Sequence, residues 1–96
     1  MAQVIWTSNA LDNLDEIAEF IAKDSVHYAE ITVTRLFSST SILKSFPLSG
    51  RVVPEFELEH IREIIKGAYR VVYQLTEEEV IEVLSVRHGS KQMKNP

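Results

Sequence analysis

Arg70, His88 and a carboxylate at Glu55 or Glu63 are the residue types that acid-base work on a phosphodiester requires. A histidine titrating near neutrality gives or takes a proton, a carboxylate complements it, and a guanidinium stabilises charge building on the phosphorus. The same residues have a plainer use, which their spacing alone favours: Arg70 pairs with Glu63 or Glu82 across a sheet, and His88 merely ends a strand. No other group competes strongly. His27, His60 and His88 stand at neither helical i, i+4 nor hairpin spacing, so no metal site is expected. Ser38-Ser39-Thr40-Ser41 lacks the G-x-S-x-G context of an activated nucleophile and reads as polar helix surface. Trp6, Tyr69 and Tyr73 are able to stack on bases, but aromatics alternating along strands belong more often to a core.

The elements that must position these residues begin with Ile61 to His88, where three apolar runs are separated by two short polar turns. The pattern predicts an antiparallel meander: a strand over 61–66, a turn at Gly67-Ala68, a strand over 69–75, the acidic turn Thr76-Glu77-Glu78-Glu79, and a strand over 80–87. Period-two alternation places Tyr69, Val71, Tyr73 and Leu75 opposite Arg70, Val72 and Gln74. It places Ile81, Val83, Ser85 and Arg87 opposite Val80, Glu82, Leu84, Val86 and His88. Both faces of the last strand are mostly apolar, which makes it central. Seven charged residues interrupt these runs, so one sheet face packs on the rest of the chain and the other, partly open, is a candidate binding surface.

Upstream, Gln3 to Trp6 reads as a short strand ending at Thr7-Ser8-Asn9. Leu11, Leu14, Ile17, Ala18 and Ile21 then form the apolar stripe of a helix whose other face carries Asp12, Asp15, Glu16 and Glu19. Lys23-Asp24-Ser25 breaks the pattern and Ser25 caps a second helix. Val26, Ala29, Val33, Leu36, Thr40 and Leu43 keep one seam through about five turns, with Ile31, Phe37, Ile42 and Phe46 expected on a second buried side. The two helices form an antiparallel hairpin. Pro47-Leu48-Ser49-Gly50 ends the second helix. Arg51 to His60 reads as an irregular connection of the kind that often carries function, and the tail from about residue 89 reads as loose.

The chain has 96 residues, 45% apolar and 25% charged, which fits one domain over residues 1–96 of α+β class. No apolar run is long enough to span a bilayer, and no basic-then-apolar leader opens the sequence, so no membrane partner is expected. The absence of cysteine fits a reducing cytoplasm. Residues 1–34 hold six acids against Lys23 for a net −5, whereas Arg87, Lys91 and Lys94 give the last ten residues +3. A generally basic nucleic-acid binder is disfavoured, while a local basic site at the carboxyl end is not.

Taken together, Trp6-Thr7-Ser8-Asn9-Ala10, Pro47-Leu48-Ser49-Gly50-Arg51-Val52-Val53-Pro54-Glu55, Ile61-Arg62-Glu63-Ile64, Tyr69-Arg70-Val71-Val72-Tyr73 and Val83-Leu84-Ser85-Val86-Arg87-His88-Gly89 resemble the RelE/ParE superfamily of type II toxin-antitoxin toxins. The resemblance implies a β-α-α-β-β-β fold, an antiparallel sheet packed on an N-terminal helical hairpin. It also implies a cognate antitoxin as partner and no cofactor. RelE-like members cleave mRNA on the ribosome, and by resemblance Arg70, His88 and Glu55 would be the catalytic residues. ParE-like members inhibit DNA gyrase without a recognised nuclease centre. The acidic balance, with a pI near 5.3, the GRVVPE segment and the IRE strand point to the ParE-like branch, with the mRNA endoribonuclease and a non-toxic α+β binding module as the alternatives. Arg51, Arg62, Arg70, Arg87, His88 and Lys91 are the expected partner-binding residues. Of these, Arg62, Arg70, Arg87 and Lys91, together with Lys94, form a basic cluster suited to steering the antitoxin.

Overall fold

The structure is a computed structural model that describes residues 1–96. Five strands form one mixed sheet: β1 (Gln3–Trp6), β2 (Arg51–Val52), β3 (Ile61–Lys66), β4 (Tyr69–Leu75) and β5 (Val80–His88), in the order β1-β5-β4-β3-β2. The meander β3-β4-β5 is antiparallel as expected, and β5 is interior. β1 lies parallel to β5, and the connection expected to be irregular contributes the two-residue β2, paired with β3 through Arg51↔Glu63 and Val52↔Arg62. Gly67 adopts φ +58° in the two-residue turn between β3 and β4. Glycine at the first central position gives such a turn the twist its strands need.

Two helices cover one face of the sheet. In α1 (Ser8–Ala22) the cap is Thr7, whose Oγ1 accepts from the Ala10 N–H. In α2 (Val26–Ser38) Ser25 caps as its sequence position suggests, accepting from the Tyr28 N–H. The second helix is shorter than its seam predicts. Ser39 and Thr40 donate their hydroxyls to the carbonyls of Leu36 and Phe37, and Ser41 donates to Ser38. Three hydroxyls in succession competing for helical carbonyls end the α-helix, and the chain continues as a single 3₁₀ turn over Ser41–Lys44. Of the expected second buried side only Ile31 is half-buried, whereas Phe37, Ile42 and Phe46 are all more than half exposed.

Under the hairpin, Ala10, Leu14, Leu36 and Leu43 pack on Val71, Tyr73, Ile81, Val83 and Val86. On the opposite face a smaller cluster joins Val53, Ile61 and Val72 with Met93. The carboxyl segment is therefore not loose. It crosses the second sheet face as a strap, with Met93 buried, the Ser85 hydroxyl donating to the Pro96 carbonyl and Arg87 donating to Asn95.

A bulge corrects the expected alternation in β5. Val72 pairs with Ser85 but Tyr73 pairs with Val83, leaving Leu84 as an extra residue. From that point the phase inverts: Val86 joins Ile81 and Val83 under the helices, and Ser85 and Arg87 reach the strap. The main-chain groups a bulge leaves unpaired are taken by α1, whose Asn9 side chain donates to the Leu84 carbonyl while Asn13 Oδ1 accepts from the Val86 N–H. No helix is long and apolar enough to cross a membrane.

Candidate functional site

Arg70 lies on the second sheet face near the start of β4, 5% exposed, and each of its guanidinium nitrogens has an acceptor. Nη1 and Nη2 make a two-pronged pair with Glu55 at 2.6 Å each, and Nε donates to Glu63 at 2.6 Å. The other Glu63 oxygen accepts from Arg51 Nε, also at 2.6 Å. Register explains the pairing with Glu63: it lies opposite Val72, so Arg70 is its diagonal neighbour on the same face. Glu82, the other carboxylate considered for Arg70, accepts from Gln74 instead. Glu55 arrives from the segment after β2, and its Oε2 also accepts from the Met93 N–H at 3.1 Å, tying the strap to the ion pair. Lys91 adds its carbonyl to Arg70 at 3.4 Å.

The electrostatics follow from this geometry. Hydrogen bonding to Arg70 holds the Glu55 carboxyl at about 2, far below its ordinary 4.5, against the opposing effect of burial. Arg70 is driven further above its already high value, chiefly by the bond to Glu55. Two-pronged pairs of charged groups are among the strongest hydrogen-bonded arrangements, and here the buried Glu63 and the half-buried Glu55 together outnumber the one buried guanidinium between them. Every buried side-chain nitrogen and oxygen has a partner.

The expected trio is thus only partly assembled. Arg70 and Glu55 meet, but as an ion pair. His88 stands apart at the end of β5, exposed, its Nδ1 2.7 Å from the Ser90 hydroxyl and its ring edge-on to Tyr69 at 5.8 Å between centroids. Arg62 donates to the Glu59 and Gly50 carbonyls, fastening the loop before β2. Tyr73 fastens the same loop: its hydroxyl donates to the Pro47 carbonyl and accepts from the Gly50 N–H, and burial pushes its own titration upward. A Cβ on Gly50 would meet that hydroxyl at 2.6 Å, which is why glycine stands there. Trp6 donates Nε1 to Thr40 and packs 5.0 Å from Phe37. His27, His60 and His88 are not gathered with acids into a metal-binding cluster.

What remains of the expected basic cluster lies at one end of the sheet. Arg87, His88 and Lys91 border a groove of about 660 Å³ between α1 and the end of β5, with Ile17, Phe20 and Tyr69 as its apolar part and Glu16 as its acid. Phe20 and Asn13 carried no functional weight in the sequence, although an asparagine inside an amphipathic helix is a poor helix former and marks a side chain with another task. Met93 gave no sign at all, since a lone methionine in a polar tail has no periodicity.

Residues 4–93 match the family model described as ParE toxin of type II toxin-antitoxin system, parDE. Toxin Y4kP of Sinorhizobium fredii is 30% identical over 92 residues, spanning 94% of this chain and 91% of that protein. Toxin RelE2 of Caulobacter vibrioides is 26% identical over 91 residues, spanning 95% and 99%. Among solved structures, a chain of the chromosomal ParDE system from P. aeruginosa superposes with a TM-score of 0.76 at 18% identity, covering 92% of this chain and 96% of that one. A chain of the Mycobacterium tuberculosis RelBE2 complex gives 0.58 at 23%, covering 94% and 93%.

Proposed function

The chain belongs to the ParE toxin family of type II toxin-antitoxin systems, and from that membership we propose that it arrests growth by inhibiting DNA gyrase. The engagement of Arg70 carries this reading. A nuclease centre built on Arg70 needs its guanidinium directed at a phosphate, whereas here its donors are directed at Glu55 and Glu63. Those carboxylates would also repel a phosphate brought close. The acidic chain, with pI near 5.3, is also a poor match for a ribosomal RNA surface, where affinity rests on phosphate neutralisation.

Its partner is a cognate antitoxin, and the groove bordered by Arg87, His88 and Lys91 suits a segment carrying acidic residues beside an apolar anchor for Phe20 and Tyr69. Arg51 and Arg62 lie on strands beyond β4 and are committed to Glu63 and to main-chain carbonyls, so they fit that role less well.

Purified protein added to gyrase supercoiling and to ribosome-bound mRNA tests the proposal in parallel. Loss of supercoiling with intact message is expected. Cut message with unaffected gyrase contradicts it.

A further inference from the structure

A second cleft, of about 360 Å³, opens between the end of α1, one face of α2 and the turn joining β3 to β4. Its apolar lining is Ile21 and Leu36, with Tyr28 and Tyr69 beside them, and its charged lining is Arg35 and Lys66. No carboxylate borders it, although the chain holds 14 acids against 10 bases. The groove at His88 differs in this respect, because Glu16 stands among its bases. Both cations are also uncommitted. Arg51, Arg62, Arg70 and Arg87 each donate to a carboxylate, carbonyl or amide oxygen, whereas the Arg35 side chain donates to none. Neither Arg35 nor Lys66 enters an ion pair.

The helix dipole accounts for part of this. Arg35 stands in the last turn of α2, where a cation is favoured, but the dipole explains neither Lys66, brought by β3, nor the exclusion of acids. Local structure supplies the arrangement. Lys66 pairs with Tyr69 across the Gly67-Ala68 turn, so a cation and an aromatic side chain arrive together. Tyr28, Arg35 and Leu36 follow at helical spacing along one face of α2. A pocket of this size that sets aromatic and aliphatic surface beside a few unpartnered polar groups is the usual form of a small-molecule site.

We infer that this cleft binds a small amphipathic anion: a flat apolar body carrying one phosphate or carboxylate. The body packs on Ile21, Leu36 and the two tyrosines, since aromatic faces favour stacked or edge-on rings. The anionic group is held by Arg35, whose planar fork suits either acid, and by Lys66 as a point charge. Water screens two exposed cations, so an inorganic anion alone gains little there, and burial of the apolar body supplies the rest. A protein segment fits less well, because a helix or strand needs a groove long enough for several anchors, and this cleft is the smaller at about 360 Å³ against 660 Å³. Only Tyr69 lines both clefts, and the inference stands apart from the proposed target and antitoxin.

Naphthyl phosphate and naphthoate, titrated into the whole isotope-labelled chain and followed by amide chemical shifts, test it, with naphthalenemethanol and inorganic phosphate as controls. At least one of the two aromatic anions is expected to bind with a Kd on the order of 0.1–1 mM, shifting Tyr28, Arg35, Lys66 and Ala68. The two arms rank phosphate against carboxylate. That anion is expected to bind about tenfold or more tightly than either control, which lacks the charge or the apolar body. Arg35→Gln combined with Lys66→Gln, which folds because both side chains are exposed, is expected to weaken the anion about tenfold and to leave the alcohol unchanged. Absence of saturable shifts, an anion that binds no better than the alcohol, shifts centred on Arg87 and His88 instead, or a double variant that binds like the wild type overturns the inference.

Discussion

At the scale of single residues, the chain turns on Arg70. Its role is set by what lies within 2.6 Å, two carboxylates, and the sequence supplied those partners without ranking them. Alternation along β3 and β4 was enough to make Glu63 a neighbour. Glu55 was a candidate carboxylate by residue type, but no spacing made it a neighbour of Arg70, because it arrives from a connection with no periodicity. A buried pair is strongly destabilising to break, since the remaining charge is left uncompensated. Arg70→Ala, which leaves Glu55 without a counter-charge and Glu63 with Arg51 alone, is expected to cost about 3–5 kcal/mol in urea unfolding at neutral pH. Acidity probes the same centre. The Glu55 carboxyl is held at about 2 in the folded chain against 4.5 ordinarily. The stability it contributes is thus full above pH 4.5 and lost as pH falls from there through about 2, because unfolding then takes up a proton. Glu55→Gln is expected to be less stable than the wild type at pH 7 and to show a smaller further decline on acidification, measured by urea melts at stepped pH.

At the scale of elements, long periodic segments were readable and their interruptions were not. Two helices, the meander and the interior position of β5 follow from spacing, because burying one face of a helix or strand leaves a repeating apolar mark. The early end of α2 was written in Ser38 to Ser41, which reads as helix surface until the competition of hydroxyls for carbonyls is considered. The bulge at Leu84 left only a faint mark: polar residues fall at Glu82, Ser85 and Arg87, a spacing of three and then two, which strict alternation passes over. It is held by Asn9 and Asn13 and governs which way Arg87 and His88 face. The strap was missed for a related reason: one buried methionine and a few main-chain contacts do not make a pattern. Met93→Ala is expected to cost about 2–3 kcal/mol, the low end for emptying a buried methionine site because a terminal segment can partly collapse into the space. Hydrogen exchange at residues 89–95 is expected to rise more than that of β4, which would distinguish release of the strap from general loosening.

At the scale of the whole molecule, the separation of charge seen in the sequence becomes a separation of surfaces. Acids line the outside of α1 and bases gather where β5 ends. Arg87→Glu combined with Lys91→Glu is expected to weaken antitoxin binding about tenfold or more by slowing encounter and removing steering, whereas Arg51→Glu is expected to change it little; titration calorimetry with the purified antitoxin measures both. The proposed activity rests on Arg70 being a structural group and not a phosphate ligand. Replacing the centre with apolar residues of similar volume, Arg70→Met with Glu55→Leu and Glu63→Leu, removes its three charges together and leaves only the solvent-exposed Arg51 without its carboxylate and the Met93 N–H without its acceptor; exchanging a buried ion pair for apolar residues is often neutral or stabilising. Growth arrest on induction of this triple variant, shown to be folded by circular dichroism and thermal melting, is the most direct measurement. Arrest equal to that of the wild type is predicted, and a stably folded variant that no longer arrests growth would contradict it.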